Sequence, residues 1–277
     1  MIAVIDYGAG NLRNVCKALE HVGTPLGATI ILTDDAHQLE RAEKVVLPGV
    51  GAFADCQMGL RSRGLWDVTR ALALTGKPLL GICVGMQLLF DVGEEMGEWE
   101  GLGLIPGRVV RFNFDAGRVI APDLSTPSVS PYASRAVARM PDARPASLKV
   151  PHIGWNQLKL VKPSHPLMNG VPDGGYAYFV HSFHPAGVDA SQILATTDYG
   201  YDFPSVVAHG NVWGIQFHPE KSQDTGLRML HNFVAAATIE YQDAGKGEDT
   251  NTREASPPVS QPPEHPAARP LAARVLG

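Results

Sequence analysis

The feature that most constrains the fold is an alternation of short apolar runs with helical patterns in the N-terminal half. The runs at residues 2–5, 29–32, 45–47 and 79–82 are partly β-branched and bounded by Gly, Pro or Asp, as buried parallel strands usually are. Between the first two, residues 11–21 place apolar side chains on one helical face. This alternation predicts an α/β fold with a mostly parallel sheet.

The second half of the chain has shorter extended runs separated by turn signals such as DGG and HGN. They lie at residues 157–161, 176–180, 193–197, 206–209 and 212–217. Such spacing predicts hairpins that add antiparallel strands to the same sheet.

Proline placement indicates how much of the 277-residue chain is compact domain. Residues 112–148 and 242–277 together hold half of the 22 prolines. The second segment has no aromatic residue and cannot bury enough apolar area to offset its ordering entropy, so we predict a disordered tail at 242–277. The first segment keeps some apolar residues and is predicted to be a long insertion. One domain over residues 1–241 is expected to carry it.

Composition excludes several functional classes. A net charge of -5 and the lack of a Lys/Arg-rich block argue against nucleic acid and membrane surfaces as partners. No apolar stretch approaches the roughly 18 residues of a membrane span, and no basic segment precedes the first apolar run. The three cysteines form no CxxC pair, which disfavours disulfides and thiolate zinc sites. We therefore expect a cytoplasmic enzyme.

The stretch KPLLGICVGMQLLFDVG carries the strongest chemical signal. Cys83 lies between a buried strand and a helix over residues 84–90, with Gly81 and Gly85 on either side, which is the nucleophile-elbow pattern. We expect the glycines to permit a sharp turn and the helix N-terminus to favour the thiolate. The alternative, a small core cysteine, is weakened by these flanks but holds for Cys16 and Cys56.

The stretch WGIQFHPEKS supplies a candidate base and an orienting group. Pro219 favours an extended backbone at His218, so the side chains of His218 and Glu220 are expected on the same side of the chain. Glu220 can then fix the tautomer of His218 and stabilise its imidazolium. Without Cys83, a turn with a surface carboxylate would be an equally good interpretation.

The attack of a thiolate on a carbonyl also requires donors for the oxyanion. The expected donors are the N–H of Val84, which follows the nucleophile, and an N–H from the loop VLPGVGAF, among Gly49, Val50 and Gly51. The two glycines allow a peptide to approach a substrate closely. Taken alone, this loop would be interpreted as a strand-ending turn.

The segments PGVG, GICVGMQLLF and FHPEKS resemble those of class I glutamine amidotransferases, which carry a Cys, His, Glu triad in this order. The resemblance implies a doubly wound, flavodoxin-like α/β domain in which Cys83 attacks the side-chain amide of glutamine. His218 would take the thiol proton and then protonate the leaving ammonia, Glu220 would orient His218, and water would hydrolyse the thioester. The family implies neither a metal nor a cofactor.

Three more segments, YGAGNLRNV, KVPHIGWNQL and YFVHSFHP, resemble the glutaminase subunits of imidazole glycerol phosphate synthases. In that subfamily ammonia passes to a (β/α)8-barrel synthase subunit, which makes imidazole glycerol phosphate and an aminoimidazole carboxamide ribotide in histidine biosynthesis. Asn11, Trp155 and Lys221 match positions that face this partner. For Trp155, core packing is an equally good alternative.

Matching positions also imply a glutamine pocket formed by Gln87, Glu95, His181, Ser182 and Phe183. Glu95 suits the substrate α-ammonium, and backbone groups near Ser182 suit the α-carboxylate. Gln87 lies one helical turn after the nucleophile, on the same face. Alternatively, Gln87 is only a polar helix residue and His181 a hydrogen-bonded strand histidine.

Other functions compete with this one. Another class I glutaminase subunit, of the pyridoxal phosphate synthase type, or a cysteine peptidase of similar fold would use the same elbow, but PHIGWN beside YFVHSF disfavours both. Metal-dependent hydrolysis through His181 and His184 is disfavoured because residues three apart on a strand lie on opposite faces and no carboxylate completes a ligand set. A catalytically inactive binding subunit is disfavoured because Cys83, His218 and Glu220 are all present.

Overall fold

The computed structural model describes residues 1–8, 10–114 and 148–237. The predicted tail at 242–277, and the predicted insertion at 112–148 apart from its first three residues and its last, lie outside the described residues. Within these ranges, no helix has the length and apolar character needed to cross a membrane.

Strands and helices alternate through the first half of the chain, and strands dominate the second. The strands are β1 (Ile2–Ile5), β2 (Ile30–Thr33), β3 (Lys44–Gly49), β4 (Leu79–Cys83), β5 (Val92–Gly93), β6 (Trp99–Glu100), β7 (Arg108–Arg111), β8 (His152–Gln157), β9 (Lys159–Leu160), β10 (Tyr176–His181), β11 (Phe183–Ala186), β12 (Ile193–Asp198), β13 (Asp202–His209) and β14 (Val212–Ile215). The helices are α1 (Leu12–Gly23), α2 (Ala36–Arg41), α3 (Phe53–Ser62), α4 (Leu65–Leu74), α5 (Val84–Gln87) and α6 (Gln223–Ala235).

The central sheet has eight strands in the order β2-β1-β3-β4-β14-β13-β12-β9. The first five are parallel, and the last three join in antiparallel fashion. The parallel strands follow the flavodoxin-like order 2-1-3-4-5, in which ligands bind at the carboxyl ends of the strands. The predicted fold class, doubly wound with added antiparallel strands, is confirmed.

Two strands of the second half differ from the prediction that all of them form hairpins in one sheet. β14 pairs parallel with β4 and so completes the parallel core. β10 pairs with β8 in a separate two-stranded sheet, while β11, β7, β5 and β6 form a third sheet. The reason is that an apolar pattern identifies a strand and its buried face but does not identify the partner with which it pairs.

The apolar faces of the helices pack on the central sheet. In α1 the predicted face is buried, through Leu12, Val15, Leu19 and Val22, and this helix packs beside α6. Apolar periodicity therefore located this helix and its buried side correctly.

The helix predicted over residues 84–90 is shorter than expected, because α5 ends at Gln87. The carbonyls of Leu88, Leu89 and Phe90 accept hydrogen bonds from the loop over residues 101–105 instead of from a further helical turn. This loop therefore replaces the intrahelical partners that continuation of the helix would have supplied.

Candidate active site

Cys83 occupies a sharp turn at the carboxyl end of β4, directly before α5. Its backbone has φ 56° and ψ -115°, a conformation that non-glycine residues rarely adopt. Such backbone strain persists where the surrounding structure enforces it, often at functional sites. The side chain is largely buried, at 3% exposure. The nucleophile-elbow pattern in the sequence therefore corresponds to an elbow in the structure.

The flanking glycines have a different task from the one expected. A Cβ on Gly81 would lie 2.6 Å from the carbonyl oxygen of Gly85, and a Cβ on Gly85 would overlap the carbonyl oxygen of Leu47. The positive φ belongs to Cys83, not to either glycine. The glycines therefore let α5 pack directly on the backbone of β3 and β4, and this packing holds Cys83 in its strained turn.

His218 and Glu220 form a buried pair beside this turn. Nδ1 of His218 lies 2.9 Å from Oε1 of Glu220, and the two side chains are 8% and 1% exposed. His218 is extended, at φ -92° and ψ 97°, as the following proline predicts. Glu220, however, lies in a 3₁₀ turn over Pro219–Lys221, so the turn rather than strand alternation brings the two side chains together.

The surroundings of His218 stabilise its protonated form. Burial alone would lower its pKa, but hydrogen bonds to Cys83 and Glu220, with the charges of both groups, outweigh burial and raise the pKa to about 10. At neutral pH the ring is therefore an imidazolium. A cation beside a thiol favours the thiolate, and the same imidazolium holds the proton that a departing amine needs.

A cavity of about 280 Å³ lies at this end of the sheet, with Cys83 and His218 in its wall. Val84, Val50 and Gly51 of the predicted oxyanion group line the cavity, together with the whole predicted glutamine pocket, Gln87, Glu95, His181, Ser182 and Phe183. Gly49 lies behind the wall, where a Cβ would be 2.8 Å from the carbonyl carbon of Val84. Residues from five separate segments of the sequence thus meet around one thiol.

The side chains of Gln87 and His181 both bind the carbonyl of Phe183. Nε2 of Gln87 donates to this oxygen at 3.0 Å and contacts Oε1 of Gln216 at 3.2 Å. Burial lowers the pKa of His181 to about 3, so the ring is neutral, and its Nδ1 lies 2.8 Å from the same carbonyl. These contacts fix the peptide that follows Ser182 in the cavity wall.

Glu95 is held at the cavity by the start of α3. Its Oε2 accepts a hydrogen bond from the backbone N–H of Phe53 at 2.8 Å, and its own carbonyl accepts from the indole of Trp99 at 3.0 Å. A helix N-terminus favours a carboxylate. A fixed negative charge in the cavity wall suits the binding of an ammonium group.

The PGVG loop is fixed by two residues that the sequence did not identify as important. The phenol of Tyr7 donates to the carbonyl of Pro48 at 2.6 Å, and the thiol of Cys56 donates to the carbonyl of Val50 at 3.4 Å. Burial raises the pKa of both groups, so both remain donors at neutral pH. Cys56 is a buried core residue, as expected, and it also orients this loop.

Three residues expected at a partner interface have distinct surroundings. Asn11 lines the cavity and donates from Nδ2 to Oε1 of Glu220 at 2.5 Å, a contact that no sequence signal indicated. Lys221 also lines the cavity, and its ammonium lies 5.8 Å from the ring centre of Tyr178. Trp155 is 47% exposed, so the alternative of core packing is wrong.

His181 and His184 do not lie on opposite faces, contrary to the expectation from strand alternation. Both rings contact Phe112, at centroid distances of 5.2 and 4.6 Å, because β10 ends before Ser182 and β11 begins after it. Nε2 of His184 binds the hydroxyl of Tyr201 at 2.7 Å. In the part of the chain that the structure describes, no group of three or more His, Cys, Asp or Glu side chains is arranged to hold a metal ion.

Comparisons with known proteins agree with this geometry. Residues 3–237 match the family "Glutamine amidotransferase class-I". An imidazole glycerol phosphate synthase subunit HisH from Salinibacter ruber (strain DSM 13855 / M31) is 46% identical over 247 residues, covering 89% of this chain and 98% of that protein. Subunits of the same name from Desulfitobacterium hafniense (strain DSM 10664 / DCB-2) and Aromatoleum aromaticum (strain DSM 19018 / LMG 30748 / EbN1) are 44% and 45% identical; they cover 84% and 85% of this chain, and 93% and 98% of their own lengths.

Solved structures support the fold. A crystal structure of a glutamine amidotransferase has a TM-score of 0.56 at 19% identity, covering 85% of this chain and 100% of that chain. A putative GMP synthase protein from Thermoplasma acidophilum has a TM-score of 0.55 at 17% identity, covering 84% and 91%. The resemblance inferred from the sequence motifs is thus confirmed, and the chain belongs to the class I glutamine amidotransferases.

Proposed function

We propose that this chain hydrolyses glutamine to glutamate and ammonia and delivers the ammonia to a synthase subunit. With that subunit it forms imidazole glycerol phosphate synthase, which makes imidazole glycerol phosphate and an aminoimidazole carboxamide ribotide in histidine biosynthesis. Relatives at 44–46% identity carry this subunit name, and they disfavour a pyridoxal phosphate synthase glutaminase or a peptidase. The observation that carries the proposal is the cavity that joins Cys83 to the His218 and Glu220 pair.

In the first half of the reaction, the Cys83 sulfur attacks the side-chain carboxamide carbon of glutamine. The carbonyl oxygen gains a negative charge, which the N–H of Val84 and an N–H of the PGVG loop would stabilise. The tetrahedral intermediate then loses its amine, and His218 donates the proton that lets it leave as ammonia. The raised pKa of His218, about 10, suits this role.

In the second half, water hydrolyses the glutamyl thioester. Having lost its proton to ammonia, His218 is now the base that takes a proton from the attacking water. Glutamate leaves, and the proton on His218 restores the imidazolium beside the Cys83 thiolate. Glu220 keeps Nδ1 of the ring protonated, so Nε2 is the nitrogen that exchanges protons in both halves.

The other cavity residues would orient glutamine. The carboxylate of Glu95, one oxygen of which is bound by the N–H of Phe53, would bind the α-ammonium group. Backbone groups at Ser182 and Phe183 would bind the α-carboxylate, because Gln87 and His181 hold this peptide by its carbonyl. We assign Gln87 and His181 to shaping the pocket through Phe183.

The partner synthase, which is a (β/α)8 barrel in our proposal, would dock on the outer face of the β8 and β10 sheet. Ile153 and Trp155 of β8 lie opposite Val180 and Tyr178 of β10, and Ile153, Trp155 and Val180 are 60%, 47% and 37% exposed. Val180 and Lys221 also line the cavity. An apolar face that begins at the cavity wall would let a docked partner receive ammonia without exposing it to solvent.

The decisive experiment compares two sources of ammonia. We expect Cys83→Ala, assayed with the synthase subunit of the same organism, to lose glutamine-dependent synthesis and to keep synthesis from added ammonium salts. Cys16→Ala, a change outside the cavity, is the control and should keep both activities. Glutamine-dependent synthesis by Cys83→Ala would disprove the mechanism, and a lack of synthesis by the wild type with this partner would disprove the assignment. Cytoplasmic location remains a prediction from the sequence.

A further inference from the structure

Asn11 contacts the carboxylate that holds the His218 ring. Its Nδ2 donates to Oε1 of Glu220 at 2.5 Å, and Nδ1 of His218 lies 2.9 Å from the same oxygen. We propose that Asn11 is a positioning residue that fixes the Glu220 carboxylate against His218. The proposal rests on the proposed glutaminase function and adds a residue to its machinery.

The orientation of the Asn11 amide is fixed from its other side. Nδ2 of Asn14 donates to Oδ1 of Asn11 at 2.5 Å. The oxygen of the Asn11 amide is therefore turned toward Asn14, and its N–H group toward Glu220. Asn14 and Asn11 thus form a short chain of directed hydrogen bonds that ends on the carboxylate.

Glu220 has few other donors in its surroundings. Its side chain is only 1% exposed, and its second oxygen, Oε2, has no hydrogen-bond partner among the described residues. A buried carboxylate needs donors to remain ionised, and Oε1 receives them from His218 and Asn11. Loss of Asn11 would leave Glu220 with the His218 contact alone.

The backbone of Asn11 indicates that this placement is enforced. Its φ of 66° and ψ of 8° lie in the left-handed region, which asparagine tolerates better than most residues. The residue stands directly before α1, where its side chain forms no cap of that helix. The usual reason for asparagine at a helix start is therefore missing, and the contact with Glu220 takes its place.

The experiment uses the full-length chain and two variants that tolerate a left-handed backbone. Asn11→Asp keeps the shape but places a carboxylate against Glu220, and Asn11→Gly removes the side chain. Lys17→Ala, an exposed change on α1, is the matched control. Glutamine hydrolysis is measured with the synthase subunit present, thermal melting checks folding, and the rate of Cys83 alkylation by iodoacetamide is measured from pH 5 to 10 by peptide mass spectrometry.

We expect both variants to fold and to lose about 10- to 100-fold in kcat/KM, as for a lost hydrogen bond to a charged group. The alkylation profile should shift upward by about one pH unit, because weaker support of the imidazolium favours the uncharged Cys83–His218 pair. Other groups around His218 are unchanged: Cys83 and Glu220 bind it, His181 lies near it, and Glu95 and Lys221 line the same cavity.

Two results would overturn the proposal. One is a kcat/KM within about twofold of wild type in both variants. The other is a loss of activity with an unshifted alkylation profile, which would indicate a general structural role. Alkylation of Cys83 needs no glutamine, so this measurement still tests Asn11 if wild-type protein proves inactive as a glutaminase.

Discussion

Cys83 and Gly49 are register partners at the carboxyl ends of the neighbouring parallel strands β4 and β3. The pairing of the strands therefore sets the distance between the proposed nucleophile and the loop that is proposed to supply an oxyanion donor. A Cβ on Gly49 would lie 2.8 Å from the carbonyl carbon of Val84 and 2.9 Å from its Cβ. The separation of the two strand ends thus depends on the absence of a side chain at Gly49.

This contact predicts the effect of Gly49→Ala. The added methyl group must push the loop away from Val84, so we expect a free energy of unfolding lower by about 1–3 kcal/mol. Glutamine hydrolysis should fall at least ~10-fold, since a small misplacement of catalytic groups has a large effect on rate. Gly27→Ala is the control: no atom lies within 4 Å of a Cβ there, so only the cost of a φ of 72° applies. Wild-type activity in Gly49→Ala would contradict this account of the site.

The raised pKa of His218 predicts a pH-dependent stability. The folded-state value of about 10 exceeds the ordinary 6.5, so the folded protein holds this proton more tightly than the unfolded chain. The stabilisation should be complete below pH 6.5 and disappear as the pH rises through about 10. We therefore expect the difference in free energy of unfolding between wild type and His218→Gln to be largest at pH 6 and to shrink toward pH 10.

Urea unfolding from pH 6 to 10 measures this difference, and each variant serves as its own reference at every pH. Cys83→Ala should flatten the profile, because the hydrogen bond with Cys83 helps to raise the pKa of His218. A difference that is constant across the range, or that grows with pH, would mean that the ring is neutral in the folded protein.

The amino end of β3 provides a prediction about stability alone. Lys44 is buried, and its ammonium donates to the carbonyls of Phe233, Val234 and Ala236 at the end of α6, at 2.8, 2.6 and 2.6 Å. Lys44→Met keeps the apolar stem but leaves these carbonyls without their donor, so we expect a loss of about 2–4 kcal/mol. Urea unfolding measures the loss, and kcat/KM should not change, because the cavity lies at the other end of the strand.

Lys77→Met is the matched control for this prediction. Lys77 similarly donates to the carbonyls of Leu39, Glu40 and Ala42 at the end of α2, but it is more exposed than Lys44. Water can replace a donor at an exposed position, so this change should cost less. Equal losses in the two variants would mean that burial does not determine the effect.

Sequence reasoning predicted the parallel core and the elbow because both depend on local patterns. Short β-branched runs mark buried strands, and glycines two residues on either side of Cys83 mark close packing of helix and strand. The meeting of Cys83 and His218 was inferred from chemistry and family resemblance. The parallel pairing of β14 with β4, which brings the two segments together, has no local signature.

The contacts of Asn11, Tyr7 and Cys56 could not be predicted, because each joins residues far apart in the chain. Asn11 and Glu220 are 209 positions apart, and Tyr7 and Pro48 are 41 apart. Asparagine, tyrosine and cysteine occur in many surroundings, so their type alone does not reveal a partner. Only the topology, which places the ends of β1, β3, β4 and β14 at one edge, shows that these residues surround one site.

The exposed face of the β8 and β10 sheet predicts the effect of Trp155→Ala on assembly. The indole is half exposed and packs against Tyr178 with ring centres 5.8 Å apart, so its removal should leave the fold of the free subunit intact. Tryptophan side chains at the centre of an interface contribute much of the binding energy, and we expect the Kd for the synthase subunit to rise ~10- to 100-fold. Isothermal titration calorimetry measures this change. Met96→Ala removes a residue that is 85% exposed outside this face and should bind like wild type; equal Kd values for the two variants would place the partner elsewhere.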